Sequence, residues 1–357
     1  MPRNIVFLTK RHPMGRDLIN DPYGRFYHLP LELAQSGDAV TVVAADYRGS
    51  EDGEWFAHGL RWLSVPATIN LPATWRALSD AVERCSPDWI VGCSDTYFGI
   101  LAQSLGAKFG TRSAIDAYDN YCAYIPWAKP LHWLWERALK RCDVTTVAGP
   151  SLAELWAPLR GSAGSVIVPM AADPRGYYLR DRFRARHAFG LPYDRPIIGY
   201  AGSINSQRGI RVLFEAIGLA REERPDIMLV LSGRLQRGVS LPRDTVYLGY
   251  VPNDDVPVLM NCFDVMAVIN TSSAFGNYSY PVKLYEAMAC GVPAVVSRTR
   301  STQWMMSGTP ELLVEPDDPQ ALARSLVAAL DYDRIDYPTK NTWARSAQCL
   351  RDALTGK

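Results

Sequence analysis

The stretch YSYPVKLYEAMACGVP, residues 278–293, carries the end signals of one short helix. Pro281 suits the first helical position, and Ser279 or Asn277 is a candidate cap for the amides at the helix start. Gly291 is followed by valine and proline, which is a stop signal. Together these signals predict a helix of about ten residues.

Two apolar segments flank this predicted helix. FDVMAVIN, residues 263–270, precedes it, and AVVS, residues 294–297, follows it. Continuous apolar runs of this length are typical of buried parallel strands. The predicted order is therefore strand, loop, helix and strand. In such units ligands lie beyond the carboxyl ends of the strands, where a helix start offers free N–H groups and a partial positive charge.

Lys283 and Glu286 place a cation and a carboxylate on one face of the predicted helix. Lys283 lies in the first turn and adds a full charge to a helix start, which suits a phosphate. Glu286 lies deeper and can accept hydrogen bonds from the hydroxyl groups of a sugar. A nucleotide satisfies both side chains. The alternative is an exposed ion pair, which at this spacing contributes only a few tenths of a kcal/mol.

Length and composition favour a globular protein with two domains. The 357 residues exceed the size at which a single core stops growing. A hydrophobic content of 48% and a charged content of 21% are ordinary for such proteins. The net charge of +1 gives no support for non-specific binding of nucleic acid, so no nucleic-acid partner is expected.

Targeting and metal-binding signals are not evident in the sequence. Met1-Pro2-Arg3 leads directly into a strand-like run, and no apolar segment approaches the ~20 residues that span a bilayer. We therefore expect a cytoplasmic protein, with peripheral contact at the inner face of the membrane as an option. The seven cysteines lack ligand spacing, and neither H-E-x-x-H nor G-x-S-x-G occurs, which argues against a zinc site or a serine hydrolase.

The first half begins with a βαβ pattern. NIVFLT (residues 4–9) and VTVVAA (40–45) predict two strands, with a helix over LPLELAQSG (29–37) between them. The loop over residues 10–28 is long and lacks G-x-G-x-x-G, so a dinucleotide fingerprint is absent. Three arginines of this loop suit an anionic acceptor, unless they are simply solvated: Arg11, Arg16 and Arg25.

Polar residues follow the strand predicted from TRSAID. Because the ends of parallel strands meet at one edge, we expect Asp116, Asp119 and Asn120 at the carboxyl edge of the sheet. A carboxylate there can take a proton or orient a hydroxyl, so both aspartates are candidate catalytic residues. The alternative is a turn in which these side chains bond their own backbone. Asn120, with Arg16 and Tyr23 of the long loop, is a candidate for contact with the same acceptor molecule as the loop arginines.

Residues 121–141 are rich in aromatic and basic side chains, which suits weak contact with a membrane surface. The other interpretation, which we favour, is packing of one apolar helical face on the sheet. That face has five residues: Leu131, Leu134, Trp135, Ala138 and Leu139.

The segment PIIGYAGSINSQRGI, residues 196–210, predicts a second cationic helix entrance. Gly202 permits close approach of a ligand, Ser203 offers a hydroxyl, and Arg208 suits a bidentate phosphate contact. Because a diphosphate carries enough charge to engage both, Arg208 and Lys283 form a predicted clamp.

Two further candidates for the same ligand follow predicted strands. Arg234 follows MLVLSG and adds another cation at the carboxyl edge. Tyr250 lies in TVYLGYVP, where its ring either stacks on a base or packs against the protein.

The order of these segments resembles a known family. VPMAADP, IIGYAGSINSQRGI, LVLSG, VYLGYVP, FDVMAVIN and PVKLYEAMACGVPAVVS resemble the C-terminal half of GT-B glycosyltransferases of the family 4, or group 1, type. The resemblance implies an α/β GT-B fold, with two Rossmann-like domains facing a central cleft and a C-terminal helix crossing back to the first domain. The implied bounds are 1–168 for the acceptor-side domain, 169–338 for the nucleotide-sugar domain and 339–357 for the returning helix.

The resemblance also implies roles for individual residues. By position, Glu286 matches the family's glutamate for the nucleotide ribose, and Arg208 its basic residue for the diphosphate. Gly202 matches the glycine that precedes this residue. Tyr278 stands where the family's E-x7-E motif has its first glutamate, and Ser203 stands where a basic residue is expected. The histidine of the family's N-terminal catalytic site has no counterpart beside the first candidate aspartate.

The implied activity is transfer of a sugar from a nucleoside diphosphate sugar, with UDP or GDP, to a hydroxyl of a glycan, a lipid-linked glycan or a small molecule. We expect no metal or other cofactor, and retention of configuration. Arg208 and Lys283 would stabilise the leaving diphosphate, and Asp116 or Asp119 would act as base only in an inverting reaction. The alternative is a catalytically inactive sugar-nucleotide-binding subunit of a glycan assembly complex. A sugar-nucleotide epimerase or a phosphorylase on the same fold is a third possibility.

Overall fold

The chain folds into two compact units. The computed structural model describes residues 2–356, apart from the side chain of Gln207. The first unit extends to Pro169 and includes the chain again from Trp343, and the second unit is Met170–Thr342. Each unit has its own sheet and its own buried apolar residues.

An eight-stranded sheet forms the centre of the first unit. Its strands are β1 (Asn4–Lys10), β2 (Ala39–Asp46), β3 (Gly53–Ala57), β4 (Leu60–Pro66), β5 (Trp89–Gly92), β6 (Arg112–Asp116), β7 (Val144–Val147) and β8 (Val166–Ile167). Their order is β3-β4-β2-β1-β5-β6-β7-β8, and every neighbouring pair is parallel except β3 and β4. The order reverses between β1 and β5, because β2 and β4 lie on one side of β1 and β5 to β8 lie on the other.

Six helices of the first unit connect these strands. They are α1 (Arg25–Gln35), α2 (Leu71–Cys85), α3 (Thr96–Phe109), α4 (Tyr121–Tyr124), α5 (Lys129–Arg141) and α6 (Pro150–Arg160). The core forms where the inner strands meet α2 and α3, with Val6, Leu78 and Phe98 among its buried members. The strands read as near-continuous apolar runs because helices cover a parallel sheet.

Two elements of the first unit differ from the sequence-based expectation. The edge strand β3 was not predicted, because its side chains are mostly exposed and give no apolar run. The first helix starts at Arg25 instead of Leu29, where Gly24 turns the chain into the helix with a φ of 63°. Pro30, which favours a helix start, lies inside α1.

Helix α5, which is rich in aromatic residues, has one buried face and one exposed face. Trp135, Ala138 and Leu139 are buried, as the packing interpretation predicts. Leu134, assigned to the same face, is 41% exposed, and Trp133 is 59% exposed, so the buried face is narrower than predicted. No helix within residues 2–356 has both the length and the apolar character needed to cross a membrane.

A six-stranded parallel sheet forms the centre of the second unit. Its strands are β9 (Ile197–Ala201), β10 (Met228–Ser232), β11 (Thr245–Tyr247), β12 (Val265–Val268), β13 (Ala294–Ser297) and β14 (Leu313–Val314). Their order is β11-β10-β9-β12-β13-β14, so the order reverses between β9 and β12. The helices are α7 (Arg182–Ala188), α8 (Ile210–Glu223), α9 (Val256–Cys262), α10 (Val282–Ala289), α11 (Arg300–Met305) and α12 (Pro319–Ala329).

The last helix, α13 (Trp343–Thr355), belongs to the first unit. The Trp343 ring stacks on the imidazole of His28 in α1, with ring centroids 5.2 Å apart and planes at 8°. The Ser346 hydroxyl donates a hydrogen bond of 2.9 Å to the carbonyl oxygen of Pro169. One apolar face of this helix is buried, and its members are Trp343, Ala347, Leu350 and Leu354.

One packing contact in the second unit leaves no room for a side chain. Gly199 lies in the middle of β9, and a Cβ built there would lie 2.2 Å from ring atoms of Phe263. Phe263 is fully buried just before β12, so its ring packs directly on the backbone of β9. The contact joins the two strands between which the sheet order reverses.

We expect Gly199→Ala to lower the free energy of unfolding of the second unit by about 1–3 kcal/mol, because the ring must move. Gly218→Ala is the matched control, since Gly218 lies inside α8 with no atom within 4 Å of its added Cβ. That change should raise stability by about 0.5–1 kcal/mol through helix propensity. Thermal unfolding followed by calorimetry checks both, and a Gly199→Ala melting temperature at or above the wild-type value would contradict the packing argument.

Candidate functional site

The candidate site lies at the carboxyl edge of the second sheet. Because all six strands are parallel, the loops that follow them meet at one edge. The loops after β9 and β12 are adjacent there, since the strand order reverses between these two strands. In open α/β sheets ligands bind at such a reversal.

The loop after β9 is held by backbone contacts. The amide of Gly202 donates to the carbonyl oxygen of Ser232, at 2.9 Å. A Cβ at Gly233 would lie 1.9 Å from the carbonyl oxygen of Gly202, so the loops after β9 and β10 touch through bare backbone. The Asn205 side chain accepts a hydrogen bond of 3.1 Å from the amide of Arg208, which fixes the turn before α8.

Arg208 faces the loop that leads into α10. Its guanidinium carbon lies 4.6 Å from the centroid of the Phe275 ring. Burial raises the pKa of the Tyr200 hydroxyl to about 12, and the positive charge of Arg208 opposes this rise. Arg208 therefore lies close to the end of β9 and to the loop after β12, as the predicted clamp requires.

The start of α10 differs in detail from the prediction. Pro281 is the residue before the first helical position, which is Val282, and no side chain caps the helix start. Asn277, a predicted cap, instead donates to the carbonyl oxygen of Ser272 at 2.9 Å. Ser279, the other predicted cap, is buried and makes no capping bond. The residue before α10 is a proline, so it offers the first amides of this helix no side-chain acceptor.

Lys283 and Glu286 form a partly buried pair on α10. Lys283 Nζ lies 2.9 Å from Glu286 Oε2, and the two side chains are 35% and 9% exposed. Oε2 is buried, and its partner among the described residues is the Lys283 ammonium, in an ion pair. The alternative of an exposed surface pair does not describe this carboxylate. A ligand hydroxyl group is a suitable donor for it.

The other predicted donor contacts lie in loops at the same edge. Ser203 is exposed after β9, and its carbonyl oxygen accepts a 2.9 Å hydrogen bond from the Tyr200 hydroxyl. Arg234 is exposed after β10, and Tyr250 is 65% exposed after β11. The Tyr278 hydroxyl accepts a 3.1 Å hydrogen bond from Arg300 Nη1.

Asp116 has contacts that do not support the predicted role of base. Arg25 Nε and Nη2 donate to its two oxygens at 2.6 and 2.8 Å, and both side chains are at most 5% exposed. The Thr146 hydroxyl donates a further 2.7 Å hydrogen bond to Oδ1. Arg25 also bonds the carbonyl oxygen of Val168 at 2.7 Å. The pair joins α1, β6 and β7, and Arg25 is neither a loop residue nor solvated.

The remaining predicted residues of the first unit have protein partners. Asp119 accepts hydrogen bonds from the amide of Asn120 at 2.8 Å and from the Tyr124 hydroxyl at 2.7 Å, as in the turn alternative. Arg16 pairs with an aspartate of its own loop at 2.8 Å, and its guanidinium carbon lies 3.7 Å from the Tyr23 ring centroid. Asn120 is buried at the start of α4, whereas Arg16 and Tyr23 lie together before α1.

The structure adds a cluster that sequence reasoning missed. Lys10 ends β1 and Asp95 follows β5, on either side of the reversal in the first sheet, with Lys10 Nζ 3.3 Å from Asp95 Oδ2. Burial raises the pKa of Asp95, and the charge of Lys10 opposes the rise. Asp95 also caps α3, and Ser94 before it has a φ of 82°. A polar residue after an apolar strand was the available signal, but pairing the two strands requires the sheet order.

No group of three or more His, Cys, Asp or Glu side chains within the described part of the chain is arranged to hold a metal ion. Four basic side chains lie at the second sheet's edge, each after a parallel strand or at the start of the next helix: Arg208, Lys283, Arg234 and Arg300. This arrangement suits an anionic ligand with hydroxyl groups.

Comparison with known proteins relates the chain to glycosyltransferases. Residues 195–332 match the family model described as "Glycosyl transferases group 1". The chain is 30% identical over 215 residues to 2-deoxystreptamine glucosyltransferase from Streptomyces kanamyceticus, covering 54% of this chain and 53% of that protein. It is 28% identical over 166 residues to D-inositol 3-phosphate glycosyltransferase from Corynebacterium urealyticum, covering 42% and 38%. The chain thus spans about half the length, or less, of these curated relatives.

Solved structures match the fold along nearly the whole chain. Sucrose-phosphate synthase from Thermosynechococcus elongatus superposes with a TM-score of 0.72 at 18% identity, covering 99% of this chain and 94% of that one. Anabaena HepE in complex with UDP-glucose superposes with a TM-score of 0.70 at 14% identity, covering 98% and 94%. The predicted GT-B fold is confirmed, and the similarity to the group 1 glycosyltransferases holds for residues 195–332, where the family model matches.

Proposed function

We propose that this protein is a glycosyltransferase that moves a sugar from a nucleoside diphosphate sugar to a hydroxyl group. The observation that carries the proposal is the ion pair of the buried Glu286 carboxylate with the partly exposed Lys283 ammonium at the carboxyl edge of the second sheet. A ribose hydroxyl can donate a hydrogen bond to Glu286, and a diphosphate supplies an anion for Lys283 and Arg208.

UDP is the nucleotide that we propose for the donor. Anabaena HepE, which is similar in fold, has been solved in complex with UDP-glucose, and this supports a uridine nucleotide over GDP. Tyr250 and Arg234 are proposed to contact the nucleotide, and Gly202 and Ser203 to line its diphosphate. Tyr250 has an exposed ring after β11, where a base can stack on it.

Charge stabilisation is the proposed basis of catalysis. As the bond from the sugar to the diphosphate breaks, negative charge grows on the leaving phosphate, and we infer that Arg208, Lys283 and the start of α10 stabilise it. The side chains supply this charge without a metal, so we propose a metal-independent reaction. We also propose retention of configuration, because Asp116 is committed to Arg25 and does not offer a free base.

The acceptor is proposed to bind the first unit. Lys10, Ser94 and Asp95 lie at its strand reversal, and Arg16 and Tyr23 lie in the long loop after β1. The relatives' names include 2-deoxystreptamine and D-inositol 3-phosphate, which are hydroxylated rings. An acceptor with several hydroxyl groups, as a small molecule or the end of a glycan, suits a carboxylate and a lysine in contact.

The inactive subunit is the second candidate function, and Tyr278 favours it. The hydroxyl of Tyr278 is bonded to Arg300, so a tyrosine and an arginine occupy the place of the family's first glutamate. Transfer or slow hydrolysis of a UDP-sugar by the purified chain would exclude this candidate.

Weak contact with an anionic membrane surface is proposed for the first unit. Trp127, just before α5, is 79% exposed, and Trp133, within α5, is 59% exposed. Basic residues accompany them on the same segment: Lys129, Arg137, Lys140 and Arg141. Exposed tryptophan next to basic side chains suits the interface of an anionic bilayer.

Lys283→Ala and Arg208→Ala are each expected to weaken UDP binding by about tenfold to a hundredfold, through loss of a charge-assisted contact. Neither variant should change the affinity for uridine, which lacks the diphosphate, whereas Glu286→Gln should lower the affinity for both UDP and uridine. Arg324→Ala removes an exposed arginine of α12 in the same unit and is the control. Calorimetric titration in the presence of EDTA measures the affinities of all four variants. Equal UDP affinity in the wild type and both cation variants would refute the donor assignment.

Asp95→Asn is expected to raise the acceptor KM by about tenfold and to leave UDP affinity unchanged, because it removes the charge that faces Lys10. Asparagine also caps helices, so α3 should stay intact. Transfer is measured with 2-deoxystreptamine, D-inositol 3-phosphate or glucose, whichever reacts fastest, beside hydrolysis of the donor as a control. A KM that does not change would remove Asp95 from the acceptor site.

Replacing Trp127 and Trp133 by serine is expected to reduce co-sedimentation with vesicles of phosphatidylcholine and phosphatidylglycerol several-fold, because the apolar contact is lost. Phe56→Ser is the control, since Phe56 is 79% exposed on β3 of the same unit. Similar losses in both proteins would point to general surface apolarity instead of a specific membrane contact.

A further inference from the structure

The second unit has a cavity of about 590 Å³ away from the candidate donor site. Four arginines line it, namely Arg180, Arg182, Arg186 and Arg334. Two of them bond Asp264, the residue directly before β12, which also accepts a 2.6 Å hydrogen bond from the amide at the start of β9. The cavity therefore lies at the amino edge of the sheet, opposite to the edge that carries Glu286 and Lys283.

Arg186 and Asp264 form the fixed floor of this arginine cavity. Arg186 is 3% exposed, and its Nε donates to the carbonyl oxygen of Cys262 at 2.9 Å. Its other nitrogens reach backbone carbonyls after α7 and one oxygen of Asp264. Arg182 Nη1 takes the other Asp264 oxygen at 2.6 Å. One carboxylate is thus shared between two guanidinium groups and has no oxygen left for the other two.

Three guanidinium groups in the cavity have unsatisfied hydrogen-bond donors. Arg180 Nε, Arg182 Nε and Arg334 Nη1 are buried and have no acceptor among the described residues. Where the structure describes side chains, these are all the buried guanidinium nitrogens that lack an acceptor. A buried donor without an acceptor costs about 1–3 kcal/mol, and more when it is charged, and all three nitrogens belong to arginines that line the one cavity.

The acidic residues of the lining do not cancel this charge. Asp181 caps α7 by accepting a 2.7 Å hydrogen bond from the amide of Arg184. Asp333 is 94% exposed, and its contact with Arg182 Nη2 is long, at 3.6 Å. Burial lowers the pKa of Arg334, and the charge of Arg182 lowers it further. Four arginines face two aspartates in the lining, and counting Asp264 still leaves positive charge.

Two stacked rings complete the wall. Phe183 and Tyr193 are 58% and 50% exposed, with centroids 4.1 Å apart and planes at 19°. We propose that the arginine cavity is a second anion site, which binds a ligand with one or two phosphate groups. Guanidinium groups bind phosphate oxygens through paired N–H donors, and four of them line this cavity beside the two rings.

This site is separate from the donor site in residues and in position. None of its lining residues belongs to the proposed donor contacts, and the two sites lie at opposite edges of one sheet. Because the donor site is also proposed to bind a diphosphate, the test must report where the phosphate binds. Free phosphates and phosphorylated lipid headgroups present the same chemistry, and the test separates them.

The test is a titration of inorganic pyrophosphate into the full chain carrying Lys283→Ala and Arg208→Ala, so that the donor site is weakened. Adding Arg182→Gln or Arg334→Gln should raise the dissociation constant at least about tenfold per arginine. Arg184→Gln is the matched control, since Arg184 is exposed on the same helix and does not line the cavity. The control should stay within about twofold, as expected for a solvated charge.

Hydrogen exchange in the unmodified protein gives a second readout that does not depend on the folding of any variant. Saturating pyrophosphate should slow exchange at residues 180–186 and 331–335, which surround the cavity, as well as at the donor loops. Protection of the donor loops alone would overturn the proposal. So would pyrophosphate affinities that Arg182→Gln and Arg334→Gln leave at the level of Arg184→Gln.

Vesicles identify the source of the phosphate. If the natural ligand is a lipid headgroup, phosphatidylcholine vesicles with phosphatidic acid should retain the protein, and Arg334→Gln should reduce retention while Arg184→Gln does not. Binding of pyrophosphate without such retention supports a free phosphorylated ligand. Absence of both, with the wild-type fold verified by circular dichroism, would overturn the proposal.

Discussion

Close approach of backbone to backbone is the constraint on which the candidate donor site depends. The Gly233 position touches the carbonyl oxygen of Gly202, and the Gly276 position touches that of Thr271, each so closely that a Cβ would lie 1.9 Å away. These contacts bring the loops after β9 and β10 together and fold the loop after β12 on itself. Larger residues would push the loops apart, and Arg208 would lose its position above Phe275. The position of the Arg208 guanidinium therefore depends on the absence of side chains at Gly233 and Gly276.

The pair of Lys283 and Glu286 solves an electrostatic problem at this edge. A phosphate near an unpaired buried carboxylate would be repelled, yet a ribose needs a carboxylate or a similar acceptor. Lys283 Nζ, at 2.9 Å from Glu286 Oε2, offsets the charge of the Glu286 carboxylate. Because the lysine is about one-third exposed, it still reaches solvent and an incoming anion. One helical turn can thus serve the two ends of a nucleotide without a conflict of charge.

The sequence predicted the second unit better than the first for a physical reason. Its site is made of segments that each follow a strand and enter a helix, so spacing alone places Arg208, Lys283 and Glu286 at one edge. Contacts between distant segments gave no such signal. Arg25 looked like a loop residue, but it pairs with Asp116, which lies 91 positions away along the chain. Lys10 and Asp95 come together only because β1 and β5 are neighbours, and local periodicity does not encode the order of strands. The predicted starts of α1 and α10 were also wrong. Gly24 and Pro281 precede these helices, and the exact first residue of a helix depends on backbone angles that the sequence does not give.

The contacts of Asp116 determine which group can accept the proton in the proposed reaction. With both oxygens held by Arg25 and one also by Thr146, this carboxylate is a structural anion that ties α1 to β6 and β7. Losing either member of a buried pair leaves an uncompensated charge, so the pair limits what can replace it at this position. A proton acceptor for the incoming hydroxyl must then come from elsewhere, and the departing diphosphate is a base that the reaction itself provides. In the proposed reaction the cations of the second unit bind that diphosphate, so the groups proposed to stabilise the leaving charge would also hold the proposed base in place. The first unit is then left to orient the acceptor, a task that suits the contact between Lys10 and Asp95.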